Sequence, residues 1–225
     1  MGIFPCLKEE GNSNTNTFLL QKKPVENPFD VVSKFEAAIA EYCGSPYAVA
    51  VTSCTSALLL CCSYLKVKEV SIPRYTYIGV GQSILNAGGK VVFRDENWSG
   101  MYQLKPYEIY DAARITTSNM YIPGSLMCLS LHISKILGVD QGGVILCDDH
   151  VTYKELRKMR FDGRTEGVHP RNDNFSRGFH CYLSPNVAAQ ALWKLSTLPK
   201  HNEPLPWGPG TNSDYVDLSK LSIFQ

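Results

Sequence analysis

The sequence predicts an α/β fold with helices on both faces of a sheet, a three-layer sandwich. Three observations carry that expectation. Short, mostly apolar runs of strand length recur at 47–52 (YAVAVT), 69–72 (EVSI), 90–93 (KVVF) and 144–147 (VILC). Stretches with helical spacing lie between several of them, and Gly44, Pro73 and the Gly88-Gly89 pair punctuate the alternation. A strand that is apolar throughout is buried on both faces, and alternating strands and helices supply the cover.

The elements follow in order. Residues 1–26 are polar and rich in Asn, Ser, Thr and Lys, apart from Phe18-Leu19-Leu20, and read as an irregular arm folded over a neighbour. Asn27-Pro28 reads as a helix cap and first helical residue. The helix FDVVSKFEAAIAEYC places Val31, Phe35, Ala38, Ile39 and Tyr42 on one face, and Gly44 stops it. Tyr47 to Thr52 reads as a strand of a parallel sheet. It runs into Ser53-Cys54-Thr55-Ser56 and a buried helix from Ala57 to Cys62. Small hydroxyl residues at such a junction are either a plain cap or an anion site made of free N–H groups and the helix dipole. Strands at 69–72 and 90–93 flank a loop and helix at 74–89, and residues 97–105 read as loop. Tyr107 to Tyr110 reads as a short strand with Asp111-Ala112-Ala113-Arg114 at its end. Asp111 is then either a helix cap or a carboxylate aimed into a site. A helix over 150–160, a long loop over 161–183 and a helix opened by Ser184-Pro185 complete the domain. The Pro-, Gly- and Asn-rich stretch after Leu198 reads as a tail with little core. The expected division is therefore an arm over 1–27, an α/β domain over 28–198 and a tail over 199–225.

Composition narrows the function. The chain has 225 residues, 44% of them hydrophobic, and a net charge of +1. That balance gives no electrostatic case for nucleic acid or an anionic membrane. No apolar run has membrane-spanning length and the first residues lack a signal-peptide core. Gly2 invites a lipidation reading, but Cys6 stands where that motif needs Ser or Thr. Eight cysteines without a C-x-x-C pair read as reduced thiols in a cytoplasmic protein, and the five scattered histidines show no metal spacing. The dinucleotide, nucleoside-triphosphate, zincin and esterase motifs are all missing.

One stretch is chemically odd. In CLSLHISKILGVDQGGV, from Cys128 to Val144, a single lysine, Lys135, lies between two apolar strands beside glycine turns. It is either a loop lysine that snorkels to water or a desolvated, nucleophilic amine of the Schiff-base kind. Three further features follow one order along the chain: the hydroxyl-rich helix start at 53–56, the aromatic loop with Tyr75 and Tyr77, and the strand-end Asp111. Pyridoxal 5'-phosphate needs all four: a helix N-terminus for phosphate, an aromatic lid, a carboxylate for the ring nitrogen and a lysine for the aldehyde.

The wording of these segments resembles the DegT/DnrJ/EryC1/StrS family of sugar aminotransferases. The resemblance runs through EYCGSPYAVAVTSCTSAL, PRYTY, YDAAR, SLHISKILGVDQGG and GFHCYLSPNVAA, over about residues 28–196. It implies the aspartate-aminotransferase-like large domain (PLP fold type I), with the small C-terminal domain largely missing after Leu198. It also implies that Lys135 is the catalytic lysine, that Asp111 pairs with the pyridine nitrogen and that Tyr77 stacks on the ring. Thr55, Ser56, the backbone at Cys54 and the Ser130 hydroxyl would hold the phosphate. His180 falls where the family reaches a partner subunit's cofactor, which implies a homodimer with shared sites. Cys54 stands in place of a glycine, Arg114 in place of a Gln or His near the ring oxygen, and Tyr182 in place of an Arg. The stretch between Asp95 and Asp111 is shorter than the family's. The implied reaction moves an amino group from an amino acid, glutamate, to a nucleotide-linked keto sugar. The alternatives are elimination or racemisation on a small amine, and a non-catalytic or altered protein that keeps the fold.

Overall fold

The computed structural model describes residues 27, 29–209, 211 and 214–225. The expected N-terminal arm, and Pro28 as first helical residue, lie outside the described residues. Helix α1 spans Asp30–Cys43 and stops at Gly44, whose φ of 77° lets its N–H reach back to the Ala40 and Glu41 carbonyls. Its buried stripe, Val32, Phe35, Ile39 and Cys43, has helical spacing. Strand β1 (Tyr47–Val51) leads into α2 (Cys54–Tyr64), β2 (Glu69–Pro73), α3 (Ile78–Asn86) and β3 (Lys90–Arg94). Then come β4 (Tyr102–Gln103), β5 (Ile109–Asp111), β6 (Leu126–Ser130), β7 (Gly143–Cys147), α4 (His150–Arg160) and α5 (Pro185–Leu195). Ser184 caps α5 by accepting from the Val187 N–H, with Pro185 in the first turn.

Five strands form one sheet in the order β1-β7-β6-β5-β4, and β2 pairs with β3 in parallel. Ser71 on β2 exchanges two backbone hydrogen bonds with Lys105, just beyond β4. Side chains alternate across the main sheet. Val49, Val51, Cys128, Ile145 and Cys147 enter one core with α2. Ala48, Ala50, Met127, Leu129, Val144 and Leu146 enter a second core with α1 and α5. The sheet is thus the middle of three layers, as the continuous apolar strands require.

Two expectations are corrected. Residues 97–105 read as loop, but Tyr102 and Gln103 form β4, held as a strand by pairing with β5 and not by local pattern. The apolar run at Tyr47 read as part of a parallel sheet, but β1 pairs antiparallel with β7, Val49 opposite Ile145. An all-apolar strand reports burial of both faces, and burial does not fix strand direction. Because β7 is also antiparallel to β6, strands β1 and β6 point the same way, and β5 runs parallel to β6. The C-terminal ends of β1, β5 and β6 therefore share one edge, where ligands bind in open α/β sheets.

A buried ion network ties the layers together. Arg160, at the end of α4, is 2% exposed and donates to Glu36 on α1, to the Ala50 carbonyl on β1 and to Glu166. Glu36 Oε1 also accepts from the Ala50 N–H at 2.8 Å. Among the described residues after α5 the chain forms two 3-10 turns, at Leu218–Lys220 and Ser222–Phe224. It nevertheless packs on the domain. Leu218 is fully buried, and the Phe224 ring meets Phe93 edge to face.

Candidate active site

A cavity of about 450 Å³ opens at the shared strand edge, within the range of small-molecule sites. Four chain junctions line one side, β1 into α2, the start of α3, the end of β5 and the loop from β6 to β7, and Trp98, Asp214 and Tyr215 complete the lining.

The first junction is shaped by a glycine. Ser53 caps α2, and its hydroxyl accepts from the Ser56 N–H at 3.0 Å. A Cβ on Gly143 would lie 2.4 Å from the Ser53 carbonyl carbon and 2.6 Å from the Cys54 nitrogen. Only glycine lets β7 pass so closely beneath the helix start. Among the described residues, the Cys54 and Thr55 N–H groups have no acceptor. Ser53, Cys54 and Thr55 line the cavity, so these donors and the positive end of the helix dipole lie at its wall. Ser56, a candidate phosphate ligand, is not brought to that wall. Its hydroxyl lies within hydrogen-bond distance of Ser53 Oγ (2.9 Å) and Thr52 Oγ1 (3.0 Å). Ser130, at the end of β6, does line the cavity.

Asp111 ends β5, and no helix follows, so it is not a helix cap. Its carboxylate is 5% exposed and accepts from the Ala113 N–H (3.0 Å) and the Tyr102 hydroxyl (2.9 Å). Burial pushes its pKa up, against these two hydrogen bonds and the field of Lys135. The Cys54 thiol points at it, with Sγ 3.8 Å from Oδ1. Burial and the Asp111 charge hold that thiol well above the usual range.

Lys135 stands in the β6–β7 loop, half-buried, and lines the cavity together with Asp111. Its pKa is lowered, by burial first and the neighbouring Arg114 second, against the pull of Asp111 and Cys54. Half-burial and a lowered pKa are what a desolvated amine would have. Gly138, at φ 35°, bends the loop closely around Lys135. A Cβ there would sit 2.6 Å from the Lys135 carbonyl oxygen.

Tyr77 caps α3 without a side-chain bond and lines the mouth, 57% exposed. Arg114 also lines the cavity and turns donors towards the end of the chain, to the Leu205 carbonyl (3.0 Å), the Pro206 carbonyl and the Tyr215 hydroxyl (3.3 Å). His180 lies elsewhere, exposed and paired with Asp162 at 2.7 Å.

Sequence reasoning missed Trp98, Tyr102, Asp214 and Tyr215. Tyr102 was detectable in principle, as the residue that a hairpin through Pro106 sets opposite Asp111. Trp98 stacks on Trp207 at 5.0 Å between ring centroids and on Tyr215 at 6.1 Å, and Tyr215 joins it in the cavity wall. No local signal marks contacts between residues so far apart in the chain. Among the described residues, no three or more His, Cys, Asp or Glu side chains are grouped to hold a metal, and no helix is long and apolar enough to cross a membrane.

Comparison with known proteins adds two findings. The sequence model of the DegT/DnrJ/EryC1/StrS aminotransferase family matches residues 5–122, more than half of the chain, and ends before the Lys135 loop. Solved structures share the fold. DesV of S. venezuelae superposes with a TM-score of 0.63 at 22% identity, over 75% of this chain and 57% of its own. A DegT DnrJ EryC1 StrS aminotransferase from Brucella abortus gives 0.64 at 21%, over 75% and 59%. A GDP-4-keto-6-deoxymannose-3-dehydratase with trapped PLP-glutamate gives 0.63 at 18%, over 76% and 61%. The chain thus spans less than two thirds of the length of these proteins. No curated protein matches the sequence.

Proposed function

Because this chain belongs to the DegT/DnrJ/EryC1/StrS aminotransferase family, we propose that its cavity binds pyridoxal 5'-phosphate and that it is a PLP-dependent sugar aminotransferase. The observation that carries this reading is one cavity lined by a desolvated lysine, a buried carboxylate and a helix start with unpaired N–H groups.

The residues fit the cofactor. The Cys54 and Thr55 N–H groups, with the hydroxyls of Ser53, Thr55 and Ser130, offer donors to a phosphate. Asp111, whose charge burial disfavours, would pair with the protonated pyridine nitrogen and be stabilised by it. Tyr77 offers an aromatic face at the mouth. When bound, pyridoxal phosphate supplies an aldehyde that takes up an amine and a ring that accepts electrons from the substrate carbon. Lys135 Nζ, whose protonated form is disfavoured here, is suited to giving up and taking back a proton at that carbon. Trp98 and Tyr215, which line the same cavity, would help keep water from the amine.

Glutamate as donor and a nucleotide-linked keto sugar as acceptor complete the proposal. The dehydratase of this fold supports both classes, since it carries trapped PLP-glutamate and is named for a GDP-linked keto sugar. We further propose a cytoplasmic homodimer in which His180, exposed and away from its own cavity, reaches the partner's site.

The test is direct. Purified protein mixed with pyridoxal phosphate should turn yellow, and borohydride should fix the cofactor to the Lys135 peptide, as read by mass spectrometry. Lys135→Ala should remove both signals. A wild-type chain that stays colourless and unlabelled would sink the proposal. Release of 2-oxoglutarate from glutamate separates transamination from elimination.

A further inference from the structure

Asp111 is itself held by a second layer of residues. Tyr102 on β4 lies opposite Asp111 in the antiparallel β4–β5 pair and is 4% exposed. Its hydroxyl is 2.9 Å from Asp111 Oδ2 and 2.6 Å from Thr76 Oγ1, and Thr76 is 2% exposed. An ionised carboxylate only accepts hydrogen bonds, so the single Tyr102 proton points at Asp111. Thr76 must then give its own proton to the Tyr102 oxygen. The three groups form a chain with one direction, Thr76 to Tyr102 to Asp111, in which each bond polarises the next.

We propose that Tyr102, oriented by Thr76, is a positioning residue that fixes the orientation and the negative charge of Asp111. The role matters to catalysis only if the cavity takes pyridoxal phosphate, so in that respect it rests on the proposed function. The surroundings show why such a holder is needed. From α2 the Cys54 thiol faces the carboxylate, from β6 the Cys128 thiol, from the β6–β7 loop Lys135, and Arg114 follows on the same strand end. The two thiols add no positive charge, so of these neighbours the field of Lys135 alone opposes the effect of burial on Asp111. Apart from the weak Cys54 thiol, the hydrogen-bond donors to Asp111 among the described residues are the Ala113 N–H and Tyr102. Removing the Tyr102 hydroxyl leaves Oδ2 without a protein donor.

The experiment titrates Asp111 in the full chain without cofactor. Aspartate carboxyl carbons are labelled with 13C, and the Asp111 signal is assigned by its loss in Asp111→Asn. Tyr102→Phe should move the Asp111 midpoint up by about one to two pH units, the size of one hydrogen bond to a buried charge. Thr76→Val, which leaves the Tyr102 ring in place, should move it less and in the same direction. An unchanged midpoint in Tyr102→Phe overturns the proposal. If that variant does not fold, Thr76→Val decides: a rise supports the chain of hydroxyls and no rise overturns it. Pyridoxal phosphate is then added to the wild-type chain. A midpoint that moves in the variants beside a wild type that takes up no cofactor would refute the proposed function and leave the positioning role standing.

Discussion

At the scale of single residues the site depends on close approach and on one unusual amine. Gly143→Ala would drive a methyl group into the Ser53–Cys54 peptide. Overpacking of this kind costs about 1–3 kcal/mol, and the helix start must shift to relieve it. We expect a lower urea midpoint and weaker pyridoxal phosphate binding in fluorescence titrations. Unchanged binding would mean that the Cys54 and Thr55 N–H groups are not the phosphate donors. Lys135 predicts a pH dependence. Its folded pKa lies below the usual 10.5, so between the two values the unfolded chain binds more protons and stability rises with pH. The buried cysteines, with pKa values pushed up, act oppositely at alkaline pH. The difference between wild type and Lys135→Met isolates the lysine. The variant should be more stable at neutral pH, and the gap should close as pH approaches 10.5. A gap that does not change with pH would mean that the amine is not desolvated. The oddity of Lys135 was legible from apolar flanks and glycines alone. The engagement of Ser56 with Thr52 and Ser53 was not, because a run of hydroxyl residues does not say which of them turn inward.

At the scale of elements, strands and helices were legible because periodicity reports local burial. The direction of β1 was not, because burial carries no direction. Also invisible in the sequence was the Arg160–Glu36–Glu166 network, which joins α1, β1, α4 and the loop after it. The mixed charges of KELRKMR suggest a solvated helix face, yet Arg160 within it is 2% exposed. Arg160→Leu would leave Glu36 buried without its cation, which costs about 3–5 kcal/mol in comparable pairs. Urea unfolding checks this. A loss below about 1 kcal/mol, the value of an exposed pair, would show the network to be solvated. Glu166 gives the network a pH signature. Burial raises its pKa, but Arg160 and Arg157 outweigh burial and hold it below the usual 4.5. Its stabilisation is therefore complete above 4.5 and is lost as pH falls through the lower folded value. Glu166→Gln should remove that acid-side slope and leave the alkaline side unchanged.

At the scale of the whole molecule, the cavity has two walls of different origin. Strand ends and helix starts of the α/β domain make the side that carries Lys135 and Asp111. The return of the chain after Leu198 helps make the other, through Asp214 and Tyr215 in the wall and Trp207 stacked behind Trp98. That second wall was illegible because its contacts join residues distant in sequence. The Leu205 N–H bonds the Arg114 carbonyl, the Leu218 N–H bonds the Arg74 carbonyl, and Trp207 Nε1 bonds the Trp98 carbonyl. Its Pro-, Gly- and Asn-rich composition suggests only a tail with little core. Leu218 is the one fully buried side chain among the segment's described residues, so it should anchor the wall. Leu218→Ala should cost about 2–5 kcal/mol if the segment unfolds with the domain. If the segment instead releases by itself, the urea midpoint should stay in place while acrylamide quenching of tryptophan rises as Trp98 and Trp207 separate. The two outcomes differ in meaning for the site. In the first, the second wall is as permanent as the sheet edge. In the second, it opens without loss of the Lys135 side, and the substrate side of the cavity moves while the cofactor side stays fixed.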